Sequence, residues 1–317
     1  MNLPAILAPR LPALIVAAGP QAAARTAEFF LGHITNGHTR KAYARAVGDF
    51  ASWCETMGVT SITDVQPLHV SLFIRQRERE RSAPTVKQAL AAIRMLFDHL
   101  VISQVIPTNP AASVRGPKHV VKRGKTPVLT PEEARHLLDS IDVGSPAGLR
   151  DRALFGMMVY TFARIGAAAA MSVSDVFWQG RRLWVRLHEK GGKDVALPCH
   201  HNLETYLEEY LANTGIGSDT SGPLFRTIGR GTGKLSRSPL PQANAWAMIH
   251  RRAKAAGIRT KIGNHTFRAT GITAYLKNGG TLEKAAAIAN HASTRTPKLY
   301  DRRSDDIPLD EIERVII

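Results

Sequence analysis

The spacing of apolar side chains divides the chain into two stretches of different rhythm. Over residues 26–112 the pattern is helical throughout. Ala27, Phe29, Phe30 and Leu31 begin one helix. A second covers residues 39–54, where Tyr43, Val47, Phe50 and Cys54 fall three or four apart and share a buried face. Gly58 is placed to end it. Pro67 opens a third helix with Val70, Phe73 and Ile74 inward. Its outward residues Arg75, Arg77, Arg79 and Arg81 alternate with Glu78 and Glu80, so this end reads as a solvated face. Residues 82–85 start a fourth helix, which runs to Leu100 through Leu90, Ile93, Leu96 and Phe97.

From Pro107 to Lys125 the periodicity stops, and Pro107, Pro110, Gly116, Pro117 and Gly124 punctuate the chain. A mixed pattern then begins at Leu129. Thr130 is a helix cap, Pro131 suits the first helical position, and Glu132 and Glu133 complement the helix dipole. Residues 150–162 read as a buried helix with Leu154, Met157, Met158 and Phe162 in the core. Residues 181–188 alternate, with Leu183, Val185 and Leu187 on one face. A tight turn, Lys190-Gly191-Gly192-Lys193, leads into a returning strand at 194–197, which predicts a β-hairpin with lysine at its tip. Helices follow at 202–212, 243–256, 269–276 and 282–289, with a Gly/Ser/Thr-rich basic loop at 215–237. The pattern thus predicts an N-terminal arm (1–25), a helical domain (26–112), a basic linker (113–128) and a second domain (129–317) with a tail at 304–317. The fold class is mainly α with a small β-hairpin or sheet, in two domains.

Composition changes this picture in one respect. The 317 residues carry a formal charge of +16, and such an excess points to a polyanionic partner. The excess is shared, with 16 Lys+Arg against 7 Asp+Glu in residues 1–128 and 26 against 19 thereafter. Hydrophobic content of 44% argues for a folded globular chain. Cys54 and Cys199 are too few and too far apart for a disulfide framework or a zinc site, which suits a reducing cytoplasm. The apolar run at 11–18 is broken by Pro12 and is too short to span a bilayer, so no membrane role is expected. It reads as an irregular arm that packs on a neighbouring surface.

The candidate chemistry lies mainly toward the C-terminus. His265 and Arg268 stand three apart and share a helix face. His291 precedes Tyr300 in a strongly basic neighbourhood. Arginine forks suit phosphate oxygens, imidazoles move protons, and a tyrosine can act as a covalent nucleophile. Arg164, set in an apolar run, needs an anion, or else an ion pair with Asp151 or Asp175. Together these residues suggest phosphoryl transfer from DNA to Tyr300. Lys41, Arg45, Lys87 and Arg94 sit on polar helix faces as candidate phosphate contacts. Arg115, Lys118, Lys122, Arg123 and Lys125 form a basic strap with no acid among them. There is no phosphate-cradling Gly-x-x-x-x-Gly-Lys-Ser/Thr loop and no paired carboxylates for a two-metal nuclease. Neither a metal nor another cofactor is expected.

The ordered set Arg164, Lys190, His265-x-x-Arg268, His291, Tyr300 resembles the catalytic residues of the tyrosine recombinase (phage integrase) family. The helical residues 26–112 are similar to that family's SAM-like core-binding domain, and the rest to its α+β catalytic domain. The resemblance implies that Arg164 and Arg268 hold the scissile phosphate, Lys190 protonates the leaving 5′-oxygen, and His265 and His291 assist. Tyr300 is implied to form a 3′-phosphotyrosine link, making the chain a site-specific recombinase of double-stranded DNA. Two positions depart from the family pattern. Ala167 stands where an acid is common, and Asn290 stands where glycine often precedes the second histidine, although asparagine also reaches the left-handed region.

The tail carries Ile312, Val315 and Ile316 on one helical face. The resemblance implies that this segment docks on a neighbouring protomer, giving a homo-tetramer on two DNA sites. A related tyrosine-based end-resolving enzyme and a catalytically silent DNA-binding protein are the alternative readings.

Overall fold

The computed structural model of the protein describes residues 11–120, 124, 126–189, 192–291, 295–299 and 301. The chain divides into two compact units, Met1–Val120 and Val121–Ile317. Among the described residues the fold is mainly helical with two small antiparallel sheets.

In the first unit, α1 (Ala13–Val16) and α2 (Pro20–Glu28) lead into a single π turn at Phe29–His33. Three longer helices follow: α3 (Gly37–Thr56), α4 (Pro67–Glu80) and α5 (Ala83–Ile102). Asn36 caps α3 by accepting from the backbone N–H groups of His38 and Thr39. Phe50 meets Phe73 and Phe97 edge to face, at centroid distances of 5.1 and 6.2 Å.

Two expectations need correction in this unit. Residues 11–25 are not an irregular arm. Leu14 and Ile15 are fully buried, and the Leu14 N–H donates to Glu55 Oε1 at 3.1 Å. A four-residue helix has no stability of its own, so its order comes from packing on α3, which sequence spacing does not display. Arg94, expected on a polar helix face, is also engaged by main-chain carbonyls of its own unit. Its Nε donates to the Ala111 carbonyl at 3.1 Å and its Nη2 to the Val114 carbonyl. The guanidinium braces the chain beyond α5, where Ala111 and Val114 are buried. The unit therefore extends beyond residue 112.

The second unit opens with α6 (Pro131–Asp139). Thr130 Oγ1 accepts from the Glu133 N–H, and Glu133 returns the contact to the Thr130 N–H, both at 3.1 Å. This reciprocal cap holds two otherwise unpaired donors. Then come α7 (Pro146–Tyr160) and α8 (Ile165–Ala169). An antiparallel sheet follows, ordered β1 (Val176–Gln179), β2 (Arg182–Glu189), β3 (Lys193–Pro198), with Leu183, Val185 and Leu187 buried on one face. After α9 (His201–Thr214), a second pair of strands, β4 (Arg226–Ile228) and β5 (Leu235–Pro239), occupies the stretch expected to be a loop. Strands this short, with arginine as the buried residue of β4, carry no apolar alternation to read. The chain continues through α10 (Gln242–Ala255), α11 (Asn264–Lys277), α12 (Leu282–Ile288) and α13 (Arg295–Lys298).

Helix α7 is the spine of this unit, with α9 and α11 packed against it. Glycines set both approaches. A Cβ on Gly156 would stand 2.9 Å from the Tyr206 ring, and one on Gly271 only 2.0 Å from the Val159 carbonyl oxygen. Phe155 of α7 stacks on Phe267 of α11 at 4.6 Å.

Candidate active site

The chain leaves α7 through Phe162, whose φ of +56° is unusual for a bulky residue. Its carbonyl accepts from Nη1 of Arg268, on α11. From the far end of α12, the Ala289 carbonyl accepts from Arg268 Nη2 at 2.6 Å. Asn290 then takes φ +47°, in the left-handed region that asparagine can reach, and the chain returns at His291 toward Arg268. Arg268 is only 2% exposed. A guanidinium so deeply placed needs its donors occupied, and a main-chain carbonyl at each terminal nitrogen fixes its orientation.

His291 Nε2 lies 2.6 Å from Arg268 Nη2. Arginine can only donate, so Nε2 accepts and the neutral ring carries its hydrogen on Nδ1. Burial, followed by the charges of Arg268 and Arg164, pushes the His291 pKa down to about 4. His265, three residues before Arg268, is shifted down by burial first and then by Arg268 and Arg164. As a residue His265 is exposed, whereas His291 is half-buried. Both arginines thus act on both imidazoles. The end of α7, the start of α11 and the end of α12 bring four of the expected side chains to one place. Two buried atoms there, Asn264 Oδ1 and His291 Nδ1, have no hydrogen-bond partner among the described residues.

Arg164 is half-buried at the residue preceding α8. The acids weighed as its structural partners are held by other groups. Asp151 accepts from Arg150 at 2.6 Å and from Arg252 at 2.9 Å. Asp175 accepts from Ser172 and faces His188. Ala167 is buried in the apolar core. Lys190 and Tyr300 lie outside the described residues, as do Lys122, Arg123, Lys125 and the tail beyond Asp301.

Of the remaining basic candidates, Lys41, Arg45, Lys87, Arg115 and Lys118 are exposed. Arg45 also lines a groove shared with Arg77 and Arg81, residues the sequence pattern assigned to a solvated helix end. Arg77 is tied to Asp49 at 2.8 Å and to Glu80 at 3.3 Å. Sequence reasoning missed Gly271, a small residue three positions after Arg268 within an apolar run, which is a visible trace of close helix packing.

The model of the phage integrase family matches residues 127–306, and that of the phage integrase N-terminal SAM-like domain matches residues 34–104. The tyrosine recombinase XerD of Corynebacterium glutamicum is 27% identical over 282 residues, which cover 86% of this chain and 89% of that protein. Among solved structures, the XerH site-specific recombinase in a post-cleavage complex with palindromic difH substrate superposes with a TM-score of 0.69 at 15% identity, covering 97% of each chain. A lambda integrase tetramer bound to a Holliday junction gives 0.68 at 17% identity, covering 90% of this chain and 79% of that one. At such identities the structural likeness speaks for the fold alone. The first family match spans more than half of the chain and includes the whole Arg164–His265–Arg268–His291 cluster, and on that ground the chain belongs to the phage integrase family.

Proposed function

We propose that this enzyme, a site-specific recombinase of double-stranded DNA, cleaves and rejoins strands at the Arg268-centred cluster through a 3′-phosphotyrosyl intermediate on Tyr300. The observation that carries the proposal is Arg268 itself, held by the carbonyls of Phe162 and Ala289 and by His291. A guanidinium fixed before substrate arrives needs no reorganisation when charge develops on the phosphate oxygens. Arg164 supplies the second guanidinium. The electrostatic work of phosphoryl transfer is thereby done by two arginines.

In the first step the Tyr300 oxygen attacks phosphorus, and the new P–O bond replaces the bond to the 5′-oxygen. The phenolic proton passes to His265, which its surroundings keep neutral and therefore able to accept it. The electron pair of the broken bond stays on the 5′-oxygen, which takes a proton from the Lys190 ammonium. His291 holds Arg268 in register. Reversal by a different 5′-hydroxyl rejoins strands with no net loss of phosphodiester bonds, so no nucleotide hydrolysis is needed.

In this reading, exposed Lys41, Arg45 and Lys87 of the first unit, together with the strap from Arg115 to Lys125, follow the DNA backbone. The segment 307–317 joins four copies of the chain on two DNA sites. The reaction takes place in the cytoplasm, and among the described residues no helix is long and apolar enough to cross a membrane.

The test is a nicked suicide DNA carrying the target site. Tyr300→Phe is expected to bind this DNA as the parent does and to form no covalent adduct. An adduct on the Phe variant assigns the nucleophile elsewhere. Binding without an adduct by the parent protein marks a catalytically silent chain.

A further inference from the structure

Beyond the arginine cluster lies a second group of titratable side chains, on the outer face of the three-stranded sheet. His188 of β2 stands between two carboxylates. Its Nδ1 is 2.7 Å from Asp194 Oδ1, directly across the strand pair, and its Nε2 is 3.1 Å from Asp175 Oδ1. Asp175 is 4% exposed, and its other oxygen accepts from the Ser172 N–H at 2.9 Å and from the Ser172 hydroxyl at 2.8 Å. It is thus a fixed post on the body of the catalytic unit.

Strand register shows what this post holds. β1 pairs with β2 only from Arg182 to Val185. Beyond Val185, β3 is the one strand neighbour of β2 among the described residues, and a two-stranded ribbon is marginal unless something else holds it. Among the described residues, buried Leu187, Arg186 over the Phe177 ring of β1 and the His188–Asp175 contact tie that outer part of the hairpin down. Lys190 follows two residues later in the sequence.

We propose that His188 is a positioning residue for the hairpin lysine: clamped between Asp175 and Asp194, it anchors the outer part of the β2–β3 hairpin and so sets where Lys190 is presented. The inference rests on the reading of Lys190 as the general acid. Donating to two carboxylates takes both ring N–H groups, so the closed clamp contains an imidazolium. The hydrogen bonds to Asp194 and then Asp175 raise the His188 pKa, against a smaller opposing effect of burial. Arg186, on the same face of β2, sits over the Phe177 ring at 5.0 Å. The next cross-strand pair is Glu189 and Lys193, whose side chains lie outside the described residues. Neither β1 nor α8, which also pack on β2, carries a titratable side chain. A raised folded-state pKa means the clamp is complete below the ordinary histidine value and is lost as pH rises through the raised one.

The experiment compares single-turnover cleavage of two suicide DNAs, one with the normal 5′-bridging oxygen and one with a 5′-bridging sulfur. The thiolate leaves without a proton, so only the first substrate needs Lys190. His188→Gln should slow cleavage of the oxygen substrate about tenfold, a fraction of what a general acid contributes, and leave the sulfur substrate nearly unchanged. Asp194→Asn, a milder change at an exposed position, should move the alkaline limb of the oxygen-substrate pH profile to lower pH. Equal effects of His188→Gln on both substrates, or an unmoved limb in Asp194→Asn, overturn the clamp. Lys190→Ala on the same pair separates the two ideas. If it spares the sulfur substrate while His188→Gln does not, the clamp alone is wrong. If it slows both equally, the role of Lys190 falls and the clamp's role with it.

Discussion

Deleting the Arg268 side chain does two things at once. It removes a fixed cation from the reacting phosphate, and it strips donors from the Phe162 and Ala289 carbonyls inside the protein. Arg268→Ala should therefore lose about 2–4 kcal/mol of transition-state stabilisation and also about 1–3 kcal/mol of folding stability from the unpaired carbonyls. Arg164→Ala, at a half-buried site, should lose a similar amount of catalysis with a smaller loss of stability. Cleavage kinetics and urea unfolding on the same two variants check this, and equal stability losses would remove the bracing role. His291 makes a prediction in pH. Its folded pKa of about 4 lies below the ordinary histidine value, so the unfolded chain binds the proton more readily. Stability should be fully present above about pH 6.5 and fall as the solution is acidified toward pH 4, by about 1–3 kcal/mol in all. His291→Gln should flatten that part of the stability curve, as read by unfolding at a series of pH values.

At the scale of elements, the site depends on how closely α11 lies against α7. Gly271 is the contact point, since an added methyl would meet the Val159 carbonyl at 2.0 Å. Gly271→Ala must push the helices apart or distort one of them, at a cost of about 1–3 kcal/mol, the usual range for an overpacked interior. Because Arg268 is three residues away and bonds to the carbonyl just past α7, cleavage should fall by more than DNA binding does. A variant with normal cleavage and lowered stability would show that the site tolerates the shift. Helix α12 contributes through its end, where Asn290 at φ +47° aims His291. The family resemblance drew attention to that turn, asparagine is a type that can reach the left-handed region, and the structure shows that it does.

For the whole molecule the open question is assembly. The tail beyond Asp301 spaces Ile312, Val315 and Ile316 three and four residues apart in sequence, and an apolar set so spaced on a short segment needs a surface to cover it. If that surface belongs to a neighbouring copy, deleting residues 307–317 should leave binding to a single site largely intact and abolish the complex that pairs two sites. Gel-shift and recombination assays on the truncated chain decide the matter, and normal recombination would place the tail's contacts within its own unit. The family match at 34–104 and the longer one at 127–306 show the same two-part organisation that the apolar rhythm predicted. The charge excess on both parts is what a DNA partner requires.

By itself, the sequence determined what depends on residue type and local spacing. The helical rhythm of residues 26–112, the Thr130 cap, the alternating strand ending at His188, and the order Arg164, His265, Arg268, His291 were all legible without coordinates. Tertiary structure decided what depends on contacts between distant segments. Residues 13–16 are helical because α3 gives them a surface to pack on. Arg94 turns inward because the carbonyls of Ala111 and Val114 fold back over it, while Lys41, Arg45 and Lys87, equally basic, stay exposed. The strands β4 and β5 were invisible because they are short and carry no alternating apolar pattern. Nothing in local spacing distinguishes a guanidinium bound by two carbonyls from one facing solvent. That difference arises only when the ends of α7 and α12 close around α11.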